Sequence, residues 1–391
     1  MKALCWAGVN KLSVETVADP KLLDPHDAIV KVRYSSVCGS DLHVLGGYLP
    51  TMRPGDVLGH EFMGEVVEVG SAVSRRRVGE RVVVCSIISC GSCWYCEHQL
   101  FSLCDNGNPN PAVAESLWGY APAGCFGYSH ALGGFAGSHA EYVRVPYADQ
   151  GMFPIPHEVD DLTALFASDA APTGWMGAEL GGVKPGDVVA IWGAGAVGQL
   201  AAQAARTLGA AEVIVIDGLP ERLEQVGRRT GAQLLDFRRT DVPAELRERT
   251  GGRGPDVCIE AVGMAAGNSA TLYGYDHFKQ QRRPGTDRPL AVREAILSCR
   301  KGGSVFVLGF FGGVVDKFPL GAVMNKGLTL RSAQQHGHRY IPMLLDRMMR
   351  GQLQTRHLAT HVLPLAKAAH GYELFATRKD GCVRAVFVPG R

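Results

Sequence analysis

The sequence predicts an α/β protein in two parts: a β-rich part built from antiparallel strands, and a doubly wound parallel sheet of alternating strands and helices. Short β-branched runs separated by glycine turns fill residues 1–157, which is the pattern of a compact antiparallel β domain. From about residue 171 short apolar runs alternate with helix-forming stretches, the signature of a parallel sheet covered by helices. Between one such run and the next helix lies a glycine turn, residues 193–198.

In the first part, AIVKVRYSSV, GEVVEVG, GERVVVCS and AEYVRVP read as strands. In the second, VVAIW is a strand-length apolar run, and GQLAAQAARTLG is rich in helix formers and closes on glycine. EVIVID is the next strand, and PERLEQVGRRTG, with proline at its start, the next helix; DVCIEAVG and SVFVLGF are further strands. The tail, roughly 333–391, carries a helix-like MLLDRMMRGQL and a late strand CVRAVFVP. Two long segments read as loops. Residues 105–139 are rich in Gly, Pro and Asn, and residues 264–290 interrupt the strand–helix rhythm and carry Arg282, Arg283 and Arg288. Loops of this length serve as binding loops or lids, or are plain surface excursions.

Hydrophobic residues make up 46% and charged residues 20% of the 391, an ordinary globular balance with ample material for a core. A formal net charge of +2 argues against a large electrostatic footprint for nucleic acid or an anionic membrane. The start, MKALCWAG, lacks a charged region followed by a long apolar run. The most apolar long stretch, 188–205, is broken by three glycines and two glutamines and makes a poor spanning helix. The chain is therefore expected to be cytoplasmic.

In a reducing compartment, SCGSCWYCEHQLFSLC at residues 89–104 reads as a metal site before it reads as disulfides. Cys90, Cys93, Cys96 and Cys104 can point four thiolates at one centre. Such a set prefers zinc and leaves no open position, so it orders a loop and does no chemistry. A reduced, metal-free cluster or a redox centre is the alternative. The other seven cysteines are dispersed and expected to be small buried apolar residues.

VVAIW runs into Gly193-Ala194-Gly195-Ala196-Val197-Gly198 and then a helix. The first glycine permits the tight turn and the second lets backbone approach a pyrophosphate. The third permits close helix–strand packing, with Ala196 and Val197 opening the helix. Asp217 ends the second strand, nineteen residues after Gly198, about where an acidic group accepts the adenosine ribose hydroxyls and repels a 2′-phosphate. NAD is thus expected over NADP. Arg222 is either a further ribose contact or a solvated side chain.

The first part offers two more short motifs: Cys38-Gly39-Ser40-Asp41-Leu42-His43, and Gly59-His60-Glu61-Phe62-Met63-Gly64 continuing to Gly70 and Val73. A thiolate and an imidazole make a plausible zinc pair that still needs a third ligand and an open position. Taken alone, Cys38 reads as a buried small residue and His60 as a hydrogen-bonded core histidine.

Together, G-H-E-x2-G-x5-G-x2-V, Cys-x-Ser-x2-His, the four-cysteine lobe and the GAGAVG turn resemble the zinc-dependent medium-chain alcohol dehydrogenases over essentially the whole chain. GCFGYSHALGGFAGSHAEYVRVPYAD and LFASDAAPTGW resemble more narrowly the glutathione-independent formaldehyde dehydrogenase branch. The resemblance implies a GroES-like β-rich catalytic domain over 1–170, completed by 333–391, and an NAD-binding Rossmann domain over 171–332. It implies two zinc ions per chain, NAD, a small alcohol or aldehyde substrate, and a homo-oligomer, dimer or tetramer. Cys38, His60 and Asp169 stand at the positions of the catalytic-zinc ligands, with Glu61 close by as an alternative. Asp169 occupies the place of a cysteine in much of the wider family, and as the residue before an apolar helix it also reads as an N-terminal cap. Ser40 resembles the first hydroxyl of a proton relay and His43 its base at the surface. Arg384 matches a pyrophosphate-binding arginine. The segment 264–290 is a candidate counterpart of an insertion that helps cover the cofactor.

The chemistry so implied is hydride transfer between NAD and a short alcohol or aldehyde hydrate whose oxygen a Lewis-acid metal polarises. Polyol or threonine oxidation, with Glu61 as third ligand, is the alternative within the family. A non-catalytic NAD-binding protein is the alternative outside it.

Overall fold

The computed structural model describes residues 1–264, 288–312 and 315–390. The segment carrying Arg282 and Arg283 lies outside them. The chain forms two compact units, one of residues Met1–Pro172 with Gln335–Arg391 and one of Thr173–Gln334.

The first unit holds eleven of the strands, numbered along the chain. A hairpin, β1 (Lys2–Gly8) and β2 (Lys11–Thr16), stands apart from the main sheet, and β6 (Ile87–Ile88) pairs β7 (Gly124–Cys125). The main sheet contains β3 (Ala28–Ser36), β4 (Glu61–Val69), β5 (Arg81–Val84), β8 (Tyr142–Val145), β9 (Met152–Pro154), β16 (His361–Pro364) and β17 (Ala385–Val388). Its order is β16-β17-β3-β4-β5-β9, with β8 also pairing β3. The pairings are antiparallel except β16 with β17. Alternation explains it: Val30 and Val32 of β3, Phe62 and Val66 of β4 and Val82 and Val84 of β5 meet in one apolar core, closed by Phe126 and Met152.

The second unit is a six-stranded sheet of β10 (Val188–Trp192), β11 (Glu212–Asp217), β12 (Gln233–Asp236), β13 (Val257–Glu260), β14 (Ser304–Val307) and β15 (Thr329–Ser332). All pairings are parallel and the order is β12-β11-β10-β13-β14-β15. The strand order reverses beside β10, the switch point at which open α/β sheets bind ligands. The strands are continuous apolar runs because helices cover both faces. The helices end as their sequences require: Pro220–Thr230 starts on proline and is stopped by Gly231 at φ 62°. On the outer strand β15 all four residues are exposed, and Leu320 and Met324 of the preceding helix stand 66% and 74% exposed.

Candidate active site and metal centres

The site in the first unit is built by neighbouring strand ends. β3 and β4 pair so that Ser36 faces Glu61. That register brings Cys38, two residues beyond Ser36, beside His60, the residue before β4. β17 pairs the same end of β3, with Val386 opposite Ser36, which delivers Arg384 to the same point. Ser86 follows β5, and its N–H donates to the Ser168 carbonyl (3.2 Å), so Asp169 is held beside the next strand of the row.

Cys38, His60 and Glu61 present ligand atoms that all lie within 4.8 Å of one another. His60 Nδ1 is 3.0 Å from Asp41 Oδ1. A carboxylate can only accept, so Nδ1 carries the proton and Nε2 offers its lone pair. Nε2 in turn lies 3.5 Å from Asp169 Oδ2. Asp41 is fixed by its own helix start, where Oδ2 accepts the Cys38 N–H at 2.8 Å. Arg384 Nη2 donates to Glu61 Oε1 at 3.1 Å and approaches Cys38 Sγ at 3.7 Å. Glu61 Oε2 is buried without a hydrogen-bond partner. Burial raises the Glu61 carboxyl to about 7 even though Arg384 pulls it downward.

Behind Asp41 stands His139. Its Nδ1 is 2.7 Å from Ser35 Oγ, which is itself 2.8 Å from Ser138 Oγ, and its Nε2 is 4.0 Å from Asp41 Oδ2. Burial pushes His139 down to about 4, so the ring is neutral near pH 7. Tyr128, from the 105–139 segment, sets its ring edge-on to His60 at 5.2 Å.

This donor set fits a zinc ion. A soft thiolate, an imidazole with its proton on the far nitrogen and two carboxylates converge, and one of their buried oxygens lacks a partner. The Cys38 sulfur and the carboxyl groups of Asp41, Glu61 and Asp169 gather near His60 and the buried Arg384, and sulfur, imidazole and carboxylate donors together suit a divalent cation. The four-cysteine lobe fits as well. Cys93 Sγ lies 3.6 Å from Cys96 Sγ and 3.8 Å from Cys104 Sγ, and a tetrahedron with Zn–S near 2.3 Å has edges of about 3.8 Å. N–H groups of Cys90 and Ser92 and the Asn106 amide point at these sulfurs.

In the second unit each glycine of the turn does a different job. Gly193 has φ 99°, which L side chains rarely adopt. A Cβ on Gly198 would sit 1.8 Å from the Gly193 carbonyl oxygen, so only glycine lets helix Ala196–Thr207 pack against the strand. A Cβ on Gly195 would meet only Arg222, at 3.8 Å, which leaves the open approach that a pyrophosphate needs. Asp217 Oδ2 accepts the Ala194 N–H (2.7 Å), and Oδ1 accepts from Gly218 and Leu219 (2.7 and 3.0 Å). The carboxylate thus braces the turn that it was expected to serve.

Other expected residues sit differently. His43, read as the surface end of a relay, is only 7% exposed, at the last turn of helix Gly39–Leu45 with Tyr48 edge-on at 6.3 Å. The loop Gly46–Tyr48 folds back over it. Arg384, matched to a pyrophosphate contact, has its described polar contacts with Glu61 and Cys38 in the first unit. Asp41, His139, Ser86 and Gln335 were missed. Asp41 had a local signal, a carboxylate three residues after Cys38 as in a capping box; the others had none.

A buried metal-binding donor set together with a dinucleotide turn is the equipment of a dehydrogenase. The comparisons agree. The family model described as alcohol dehydrogenase GroES-like domain matches residues 24–157, and that of the zinc-binding dehydrogenases matches 196–273. An uncharacterised zinc-type alcohol dehydrogenase-like protein of Bacillus subtilis is 36% identical over 100% of both chains. The glutathione-independent formaldehyde dehydrogenase of Pseudomonas aeruginosa is 37% identical, covering 73% of this chain and 70% of its own. Alcohol dehydrogenase TADH from Thermus sp. ATN1 superposes with a TM-score of 0.82 at 33% identity, covering 100% of each chain. The chain belongs to the zinc-dependent medium-chain alcohol dehydrogenases and resembles their glutathione-independent formaldehyde dehydrogenase branch. It is an oxidoreductase of the alcohol dehydrogenase type. No helix among the described residues is long and apolar enough to cross a membrane.

Proposed function

We propose that this protein transfers hydride between NAD and a short alcohol or hydrated aldehyde, formaldehyde included. Cys38, His60 and Asp169 would hold the catalytic zinc with Glu61 beside them, and Cys90, Cys93, Cys96 and Cys104 the structural one. The observation that carries the reading is the bond from His60 Nδ1 to Asp41, which turns the free Nε2 toward Asp169 at 3.5 Å. The formaldehyde dehydrogenase similarity supports the substrate class.

Cys38, His60 and Asp169 would hold a metal that would supply Lewis-acid polarisation of the substrate oxygen, and the glycine turn would hold a nicotinamide cofactor that would supply the hydride acceptor or donor. The chain's own groups do the rest. Asp41 keeps His60 in one tautomer and orientation. Arg384 offsets the negative charge of Glu61 and Cys38. Ser40 and His43, on one short helix, are the proposed path by which the substrate's proton leaves. Gly193, Gly195, Ala196, Val197 and Gly198 would receive the pyrophosphate, Asp217 the ribose hydroxyls and Arg222 the same end of the cofactor. A carboxylate at Asp217 favours NAD by repelling a 2′-phosphate. The bare edge at β15, with Leu320 and Met324 beside it, supports a homo-oligomer, and the reduced cysteines support a cytoplasmic setting.

A second reading has its own observation. Glu61, not Asp169, completes the set within 4.8 Å, which favours polyol or threonine oxidation with Glu61 as third ligand. Formaldehyde, ethanol, glycerol, sorbitol and threonine assayed side by side by NADH absorbance separate the substrates. Metal analysis of Asp169→Ala separates the ligands. Loss of one zinc with nearly all activity supports the first reading. Two retained zincs with normal turnover would reject it and bring forward the second.

A further inference from the structure

Asp169 is not left to find its own orientation. Its Oδ2 accepts a 2.8 Å hydrogen bond from Ser86 Oγ, and Ser86 Oγ accepts one of 2.8 Å from Gln335 Nε2. The same amide nitrogen lies 3.3 Å from the Ser168 carbonyl oxygen and 3.6 Å from Cys85 Sγ. The direction of this chain of bonds is fixed by chemistry. A carbonyl can only accept, so the corner of the amide facing Ser168 and Ser86 is the NH2 group. The Ser86 hydroxyl oxygen thus accepts from the amide, and its proton is left for the Asp169 carboxylate, which can only accept. The carboxylate receives a directed hydrogen bond on the oxygen that faces His60 Nε2.

The segment is shaped for this arrangement. Gln335 is 4% exposed and is the first residue of the chain's return into the first unit, while Asp169 lies just before its departure at Pro172. A Cβ on Gly337 would fall 2.1 Å from Gln335 Oε1 and 2.7 Å from Cys85 Sγ, so glycine there makes room for the amide to fold inward. The Ser86 N–H also binds the Ser168 carbonyl. Ser86 and Gln335 therefore grip both the backbone before Asp169 and its side chain.

We infer that Ser86 and Gln335 are positioning residues for the catalytic metal: they direct Asp169 Oδ2 to the metal beside His60 and hold it there while Glu61 stays with Arg384. This rests on Asp169 being a ligand, as proposed above. Groups that hold metal ligands typically contribute about 10–100-fold to metal affinity or activity. Neither residue touches substrate, so their effect passes through Asp169.

The test uses the full-length zinc protein. Wild type, Ser86→Ala, Ser86→Thr, Gln335→Met and Asp169→Ala are titrated with a chelator, and zinc per chain is followed by mass spectrometry of the intact protein, with thermal melting and kcat/KM on the same samples. Ser86→Ala and Gln335→Met should release one zinc at about 10–100-fold lower chelator concentration than wild type, keep the four-cysteine zinc, and lose kcat/KM in step. Ser86→Thr retains the hydroxyl and should restore both properties. Wild-type zinc release in Ser86→Ala and Gln335→Met, while Asp169→Ala loses its zinc, would overturn the inference and leave Asp169 as a ligand. Retention of both zincs by Asp169→Ala would overturn the ligand assignment itself. A drop in melting temperature with unchanged zinc release would reduce the pair to packing and also overturn the inference.

Discussion

Replacing Arg384 by methionine removes the cation from a buried ion pair and keeps most of the side-chain volume. Arg384 and Glu61 lie 3.1 Å apart with side chains 4% and 0% exposed, so solvent screens neither. Removing one partner of such a pair costs about 3–5 kcal/mol, because the other charge stays buried alone. Glu61 has little else to turn to, since its Oε2 already lacks a partner. The upper end is softened because burial holds the Glu61 carboxyl near 7 even with Arg384 present, so without the guanidinium it takes up a proton at neutral pH. At about 2–4 °C per kcal/mol for a unit of this size, melting should fall by about 6–20 °C. A metal ion beside Glu61 supplies positive charge, so the fall should be smaller in metal-replete than in chelator-treated protein. Calorimetry of wild type and Arg384→Met in both states measures this. A metal-free Arg384→Met that melts with wild type would refute the reasoning, and equal falls in the two states would refute its electrostatic part. Unchanged melting with weakened NAD binding would instead support the pyrophosphate contact that the family resemblance implies.

Cys93→Ser should lose one zinc per chain and melt at lower temperature; two retained zincs with unchanged melting would remove the lobe as a metal site. Asp217→Ser should narrow the NAD/NADP ratio of kcat/KM, whereas a ratio equal to wild type would leave Asp217 only as the brace of the glycine turn. His338 is buried with Nε2 3.0 Å from Ser89 Oγ, and burial pushes it down to about 3 from 6.5. The unfolded chain therefore binds a proton that the native chain refuses between those values, and stability falls as pH drops through that window. His338→Phe should flatten the fall in the urea midpoint between about pH 7.5 and about pH 5; an unchanged slope would assign the acid sensitivity elsewhere.

The parts of the site written in contiguous residues were legible in sequence. The glycine turn is local, and its three glycines meet three separate steric demands within six positions. The four cysteines are close in sequence and only a short lobe is needed to gather them. Strands β3, β4, β5, β8 and β17 of the first sheet and β10, β11, β13 and β14 of the second followed from apolar alternation and apolar runs, whereas the short outer strands β9, β12, β15 and β16 carry too little pattern to be read. What could not be read were contacts made by pairing of distant strands. Gln335 meets Ser86 across 249 positions and Arg384 meets Glu61 across 323, and no periodicity carries such a pairing. The burial of His43 was not legible for a related reason: neither its short helix nor the loop that covers it has a pattern in the sequence. The two carboxylates near His60 remained alternatives because their choice depends on which neighbours hold them, Ser86 for Asp169 and Arg384 for Glu61.

The lobe at Cys90–Cys104 has a further consequence. Its sulfurs stand 3.6 and 3.8 Å apart, and it carries little apolar core of its own, with Trp94 58% exposed at its tip. A zinc ion held there would act as a protecting group. Once stripped in air, thiols so close oxidise to one another, and a disulfide cannot rebind the ion. Loss of such a zinc would be a ratchet: reversible while a reductant keeps the thiols free, and blocked once they have oxidised. Zinc added back to chelator-treated protein should restore the original melting curve only where a thiol reductant was present throughout. Full recovery in its absence would mean that the four sulfurs are held apart by the backbone and need no guard.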